Sequence, residues 1–250
     1  MVTGKIVAES RRILWVCLAI FAIFGSSGCQ WASSGQNAQG VRLYEQGQFS
    51  AAMQQFQQSI SSNPANPDSY YNLAATTHRL GVQRNDTRLI EQAESLYNQC
   101  LDIAPNHIEC HRGLAVLLME SNRPDKAFAL VKNWVTTQPN LSDARVELAR
   151  LYQEAGEPQQ AQKYLEDAVQ RDPSNPRGWL ALAQLRESAG DLQQALTNYQ
   201  RSYSINSGQP AVLQRISALN RQISSGIDAS HHGNSSGTLL AQPGPAKPRY

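Results

Sequence analysis

The hydrophobic pattern changes period once along the chain. Ile13 to Phe24 form an almost unbroken apolar run. Beyond Cys29, apolar residues return at spacings of three and four, the signature of one buried face on successive helices. Three stretches share a common ruler: "GQFSAAMQQFQQSISSNP" from Gly47, "GEPQQAQKYLEDAVQRDP" from Gly156 and "GDLQQALTNYQRSYSINS" from Gly190. In each, an alanine follows the glycine by five residues, a large apolar residue by nine and a small one by twelve. The anchor sets are Ala52, Phe56, Ser59; Ala161, Leu165, Ala168; and Ala195, Tyr199, Ser202. A partner helix precedes each of the last two glycines, "RVELARLYQEAG" from Arg145 and "WLALAQLRESAG" from Trp179. The glycine between partners suits a tight turn, because a positive φ costs it little.

Typed positions recurring in register define a repeat before any other feature is weighed. Trp179, Leu182 and Ala183 stand at W-x₂-L-[GA], and Pro139 to Pro173 spans 34 positions, as does Ala161 to Ala195. This pattern resembles the tetratricopeptide repeat, a helix–turn–helix unit of about 34 residues. The resemblance implies an all-α, right-handed superhelical solenoid. Five units are expected, over residues 33–66, 67–107, 108–141, 142–175 and 176–209. Small residues such as Ala74, Ala115, Ala149 and Ala183 let helices approach, and Leu73, Tyr97, Leu148 and Leu165 fill the space between them. Pro210–Ser225 reads as a final amphipathic helix capping unit five.

Two units depart from the ruler. In unit two, Gly81 and Ala93 lie twelve apart, so Val82–Arg88 reads as a seven-residue insertion lengthening the inter-helix turn. Unit three has Asn122 in place of the turn glycine, which asparagine tolerates. It also has Trp134 where a small residue is usual, and that ring must find room, over Ala144 for example.

Residues 1–28 read as an export leader: Lys5, Arg11 and Arg12, then the apolar run, then Gly25–Gly28. The run is shorter than the roughly 17 residues a membrane-spanning helix needs. "SSGCQ" resembles a bacterial lipobox, in which the cysteine, here Cys29, is lipidated and becomes the mature N-terminus. Ordinary cleavage nearby or a retained anchor are the alternatives. The resemblance implies an exported protein held on a membrane by lipid, with Gln30 pointing to the outer membrane facing the periplasm. The domain plan is thus leader 1–28, linker 29–36, repeat domain 37–225 and a disordered Gly/Ser/Pro-rich tail 226–250.

Charge narrows the partners. The chain has 22 Lys+Arg and 20 Asp+Glu, but the leader accounts for the excess of cations, since it holds three against Glu9 alone. The remaining body is neutral and carries no basic cluster, which argues against nucleic acid. No phosphate-binding loop, nucleophile elbow or metalloprotease motif is present, so neither an enzyme nor a bound cofactor is expected.

Cys100 and Cys110 are open to two readings, a disulfide across the "APNH" turn or two small buried core residues. A metal- or redox-active site using Cys100, Cys110, His107 and His111 is the rival to a binding role. In the repeat family the first helix of each unit lines a groove holding a partner segment. The register places Tyr71, Asn72, His78 and Arg79 of unit two there, with Arg112, Val116 and Met119 of unit three. Val146, Arg150 and Gln153 of unit four follow, then Leu180 and Gln184 of unit five. Family members that clamp a C-terminal carboxylate do so with basic groove residues. Glu109 and Gly113 occupy those positions in unit three, so that role is not expected. The expected protein is an adaptor in an envelope complex that binds a protein partner. Its layout is similar to pilotin-type lipoproteins of type IV pilus assembly.

Overall fold

The computed structural model describes residues 33–232, and they form eleven helices with no strand. Helix α1 occupies residues 33–45. It is followed by α2 (Phe49–Ser62), α3 (Pro67–Arg84), α4 (Thr87–Ile103), α5 (Ile108–Glu120) and α6 (Pro124–Thr137). Then come α7 (Ser142–Glu154), α8 (Pro158–Arg171), α9 (Pro176–Ser188), α10 (Leu192–Ile205) and α11 (Pro210–His232). The leader, Cys29 and residues 233–250 lie outside the described residues. Helices pair as the ruler predicts, α3 with α4, α5 with α6 and α9 with α10. No described helix is long and apolar enough to cross a membrane.

Local chemistry sets the boundaries. Pro67, Pro124, Pro158, Pro176 and Pro210 each open a helix, where the missing N–H is no loss and φ is preset. Asn66, Asp86, Asn175 and Asp191 cap the helices they precede by accepting backbone N–H bonds. Gly47, Gly156 and Gly190 have φ of 76°, 76° and 84°, and Asn122 takes the same role at 56°. The three ruler glycines, and the asparagine that replaces one, are therefore turn residues as expected.

Unit two differs from expectation. The extra residues do not lengthen a turn. Helix α3 has 18 residues and α4 has 17, where α5 and α6 have 13 and 14. The turn between them shrinks to Asn85 and Asp86, with Asn85 left-handed at φ 53°. Gly81 is no turn glycine but a buried helical residue whose absent side chain admits Ile90, since a Cβ there would lie 2.7 Å from the isoleucine Cδ1. Helix continuation wins because Asn85 supplies the left-handed stop and Asp86 caps α4 through the Arg88 N–H.

Two domain limits also shift. Residues 33–36, expected as linker, are already helical, and Ser33 is buried with its hydroxyl 2.9 Å from that of Ser59. At the other end, α11 continues past Ser225 into the expected tail, to His232.

The chain divides into two compact units, up to Leu151 and from Tyr152. In the first, Phe56, Leu73, Tyr97, Leu114, Leu117, Val131 and Trp134 are buried. Gly40 stands in unit one where Ala74 and Ala115 stand later, and a Cβ there would collide with the Phe56 ring. Trp134 finds its room against His111, with ring centroids 3.9 Å apart and planes within 10°. In the second compact unit, Ala183, Ala195, Leu196 and Tyr199 pack with Val212, Ile216 and Leu219 of α11. The last helix therefore covers the final repeat as expected, and Tyr152 stacks on Tyr164 at 5.4 Å.

Candidate functional site

Within the first compact unit, the first helices of successive repeats lie side by side, with α3 touching α5 directly. Tyr71 is half-buried on this face, 5.6 Å from the His107 ring and 6.3 Å from that of Tyr97. Burial and the Glu109 carboxylate raise its phenol pKa, so the hydroxyl stays neutral and can donate. Asn72 donates to Asn37 Oδ1 at 3.0 Å, tying α3 to α1. Beside them is a small recess of about 110 Å³ walled by Val41, Tyr44, Phe56, Tyr71 and Ala75. Val116 and Met119 remain partly exposed on α5.

Charged positions on this face are internally balanced. The Glu147 carboxylate, fully buried, accepts from Arg112 Nε at 2.8 Å and from Arg150 Nε at 3.1 Å. Two of the expected groove cations thus converge on one acid, so the face offers no bare basic patch there. Arg79 is exposed and lies 5.3 Å from the Phe49 ring centroid.

Several expected groove residues sit differently. Val146 is only 6 % exposed and belongs to the core of the first compact unit. His78 is nine-tenths buried, edge-on to Tyr97, and burial lowers its pKa against the opposing pull of Glu120. In the second compact unit Gln153 and Gln184 are exposed, while Leu180 packs against the core cluster beneath α11. Sequence reasoning missed Val41, Tyr44 and Glu147. The first two lie on a helix to which the register assigns no groove positions, and Glu147 carries no sequence signal that separates it from a solvent-facing acid, although it is fully buried.

Sequence profiles of the tetratricopeptide repeat (TPR) match residues 40–81, 89–140 and 146–210. The chain belongs to the tetratricopeptide-repeat family. Among solved structures, TTC0263, a thermophilic TPR protein of Thermus thermophilus, is 23% identical. That match covers 75% of this chain and 98% of the other at a TM-score of 0.57. Pseudomonas aeruginosa pilF is 16% identical, with coverages of 83% and 95% and a TM-score of 0.49. YrrB, a TPR protein described as having an unusual peptide-binding site, is 13% identical over 72% of this chain and 89% of that one, at 0.40. No curated protein matches the sequence.

The TPR register also explains the cysteines. In the first two units the small residue late in the second helix and the residue ten further on meet at a buried junction with the next repeat. Ser59 and Ser69 occupy it first, their hydroxyls 2.7 Å apart. Cys100 and Cys110 occupy it next and are joined by a disulfide, with Cα atoms 6.6 Å apart. The structure has the disulfide and not the pair of free core thiols, and the cystine is fully buried.

His107 lies close to both sulfurs, the three donors falling within 4.8 Å of one another. Its ring is otherwise engaged. Nδ1 accepts the Cys110 N–H as the α5 cap, and Nε2 donates to Asp68 at 3.1 Å. His111 Nε2 donates to the Pro105 carbonyl at 2.9 Å while its ring lies on Trp134. With both thiols oxidised and both histidines committed, these four residues act as structure in this state rather than as a metal centre.

Proposed function

We propose that this TPR protein is an adaptor of a bacterial envelope complex, holding a segment of a partner protein against the α1–α3–α5 face. The carrying observation is the recess between Tyr44, Phe56 and Tyr71. It is apolar, ring-walled and edged by the Asn72 amide. Such a surface seats an apolar side chain while polar neighbours fix the segment's direction. Burying one such side chain contributes about 1.5–3 kcal/mol, so several along the face give a specific but reversible grip.

A photo-reactive residue at Tyr71 or Val116 should cross-link one discrete protein in intact cells. The same residue at Asn133 or Thr136, exposed on α6, should give none. Equal labelling from both faces would remove the groove from the argument.

The same reading places the protein outside the cytoplasm, anchored through Cys29 with the repeats facing the periplasm. The lipobox resemblance supports this, and so does the buried cystine, since disulfides persist in oxidising compartments. Cys29→Ser should shift the protein from the membrane fraction to the soluble one, or leave it as uncleaved precursor. A variant that loses its leader yet stays wholly with the membrane would defeat the lipid anchor.

A further inference from the structure

The first and last repeats end differently. Helix α11 covers the last one, whereas among the described residues no helix precedes α1. The start of α1 is nevertheless fixed. Ser33 is 1 % exposed, its Oγ lies 2.9 Å from Ser59 Oγ, and Ser59 Oγ lies 2.7 Å from Ser69 Oγ. Ser59 Oγ also donates to the Ser33 carbonyl at 2.8 Å, and Ser62 Oγ donates to Gln36 Oε1 at 2.9 Å. Residue 33 is therefore tied to α2 and α3 and moves with them.

That junction limits the freedom of any anchor upstream. Cys29 stands four residues before Ser33, and four residues span at most about 14 Å. Helix α1, residues 33–45, is itself about 20 Å long. A tether shorter than the first helix gives the repeats no room to swing clear of the surface that holds them. The parts of unit one nearest that surface are those around Ser33: the first turn of α1, the end of α2 and the turn at residues 63–66.

The composition of this corner points the same way. From Ser33 to Pro67 the only charged residues are Arg42 and Glu45, opposite in sign and both in the last turn of α1, away from Ser33. Helix α2 has none. The next repeat, residues 67–107, has eight. The corner exposes Ser34, Gly35, Gln57, Gln58 and Ser61, with open space around Gly35. Hydroxyls and amides can exchange water for headgroup oxygens, whereas a charge drawn towards a bilayer loses hydration and an acid is also repelled by anionic lipid. The alternative resting face is the edge along which the turns between repeats follow one another. On that edge Asp102 and Glu109 are exposed beside the turn between repeats two and three, which favours the end over the edge.

We infer that the uncharged corner of unit one rests on the lipid surface that holds Cys29, so that the repeats stand on the membrane by their first unit. The inference rests on the lipid anchor proposed at Cys29, and its test separates the two. Full-length protein would be purified from membranes, its N-terminal mass measured, and the protein placed in vesicles of phosphatidylethanolamine and phosphatidylglycerol carrying a headgroup-nitroxide lipid. A fluorophore would be attached at Ser61→Cys or at Thr136→Cys. Both hydroxyls are exposed and donate to the carbonyl four residues back, on second helices two repeats apart, so the substitutions are matched. Quenching should be several-fold stronger at residue 61 than at residue 136. Inserting about twenty Gly/Ser residues after Trp31, with a reach of about 25 Å, should bring residue 61 down to the level of residue 136.

Equal quenching at the two sites would show the solenoid lying along its edge, and weak quenching at both would show it held away from the lipid. With acyl chains present on Cys29, either result would overturn the apposition and leave the anchor standing. Strong quenching at residue 61 that survives the insertion would overturn the part given to the short tether. An unmodified Cys29 in the membrane-purified protein would overturn anchor and apposition together.

Discussion

Trp134→Ala should lower the unfolding free energy by about 3–5 kcal/mol, the loss typical of a buried indole truncated to a methyl. Trp134→Phe should cost only about 1 kcal/mol, although it too removes part of the ring. The difference follows from the ring's surroundings. Trp134 is 1 % exposed and lies flat on His111, a contact worth about 0.5–1.5 kcal/mol beyond area alone. Its Nε1–H, however, has no acceptor. A buried donor left unpaired carries a penalty of about 1–3 kcal/mol, which both substitutions relieve. Phenylalanine retains most of the packing and a stacking surface, whereas alanine keeps neither. Urea unfolding of the three proteins measures this directly. A phenylalanine variant as damaged as the alanine one would show that the indole N–H is bonded in solution.

Trp134 also shows what a sequence discloses and what it withholds. The ruler marks its position as anomalous, because Ser59, Cys100, Ala168 and Ser202 hold the same place in other units. The ruler does not name its partner, since the register fixes which residues share a face but not which neighbour bends to meet an oversized ring. The overall repeat was legible because turn glycines, small residues and large residues recur with their types, and each type has one steric job.

The insertion in unit two was legible in length but not in form. A count sees twelve residues between Gly81 and Ala93. It does not by itself reveal that Asn85 and Asp86 can end one helix and begin another. Asn-Asp-Thr is nevertheless a left-handed stop followed by an N-cap, so the signal was present. The candidate face was half legible. Tyr71, Asn72, Val116 and Met119 follow from the repeat register together with the family resemblance, which assigns the groove to the first helix of each unit. Val146 is buried and Glu147 is enclosed by two arginines, and both facts depend on how closely neighbouring helices approach. Helical period carries no such distance.

Replacing both Cys100 and Cys110 with serine should lower the unfolding free energy by roughly 2–3 kcal/mol and leave the helical spectrum unchanged. The loss reflects the entropy that a cross-link over a short loop removes from the unfolded chain, here with ten residues of separation. The unchanged fold follows from the preceding junction, where Ser59 and Ser69 already occupy the equivalent places and hydrogen-bond at 2.7 Å. Two serines are therefore a pair this geometry accepts, and they restore a polar contact where the covalent one is removed. Reduced wild-type protein should fall within about 1 kcal/mol of the double variant, because both lack the cross-link while keeping small buried residues. Cys110→Ser alone should do no better, since it leaves the Cys100 thiol facing a hydroxyl. Chemical denaturation of the four forms, with a thiol count on each before unfolding, provides the comparison. Two titratable thiols in the untreated protein would show that the bond does not form. A double-serine variant as stable as the oxidised parent would show that the junction's packing, and not the cross-link, holds repeats two and three together.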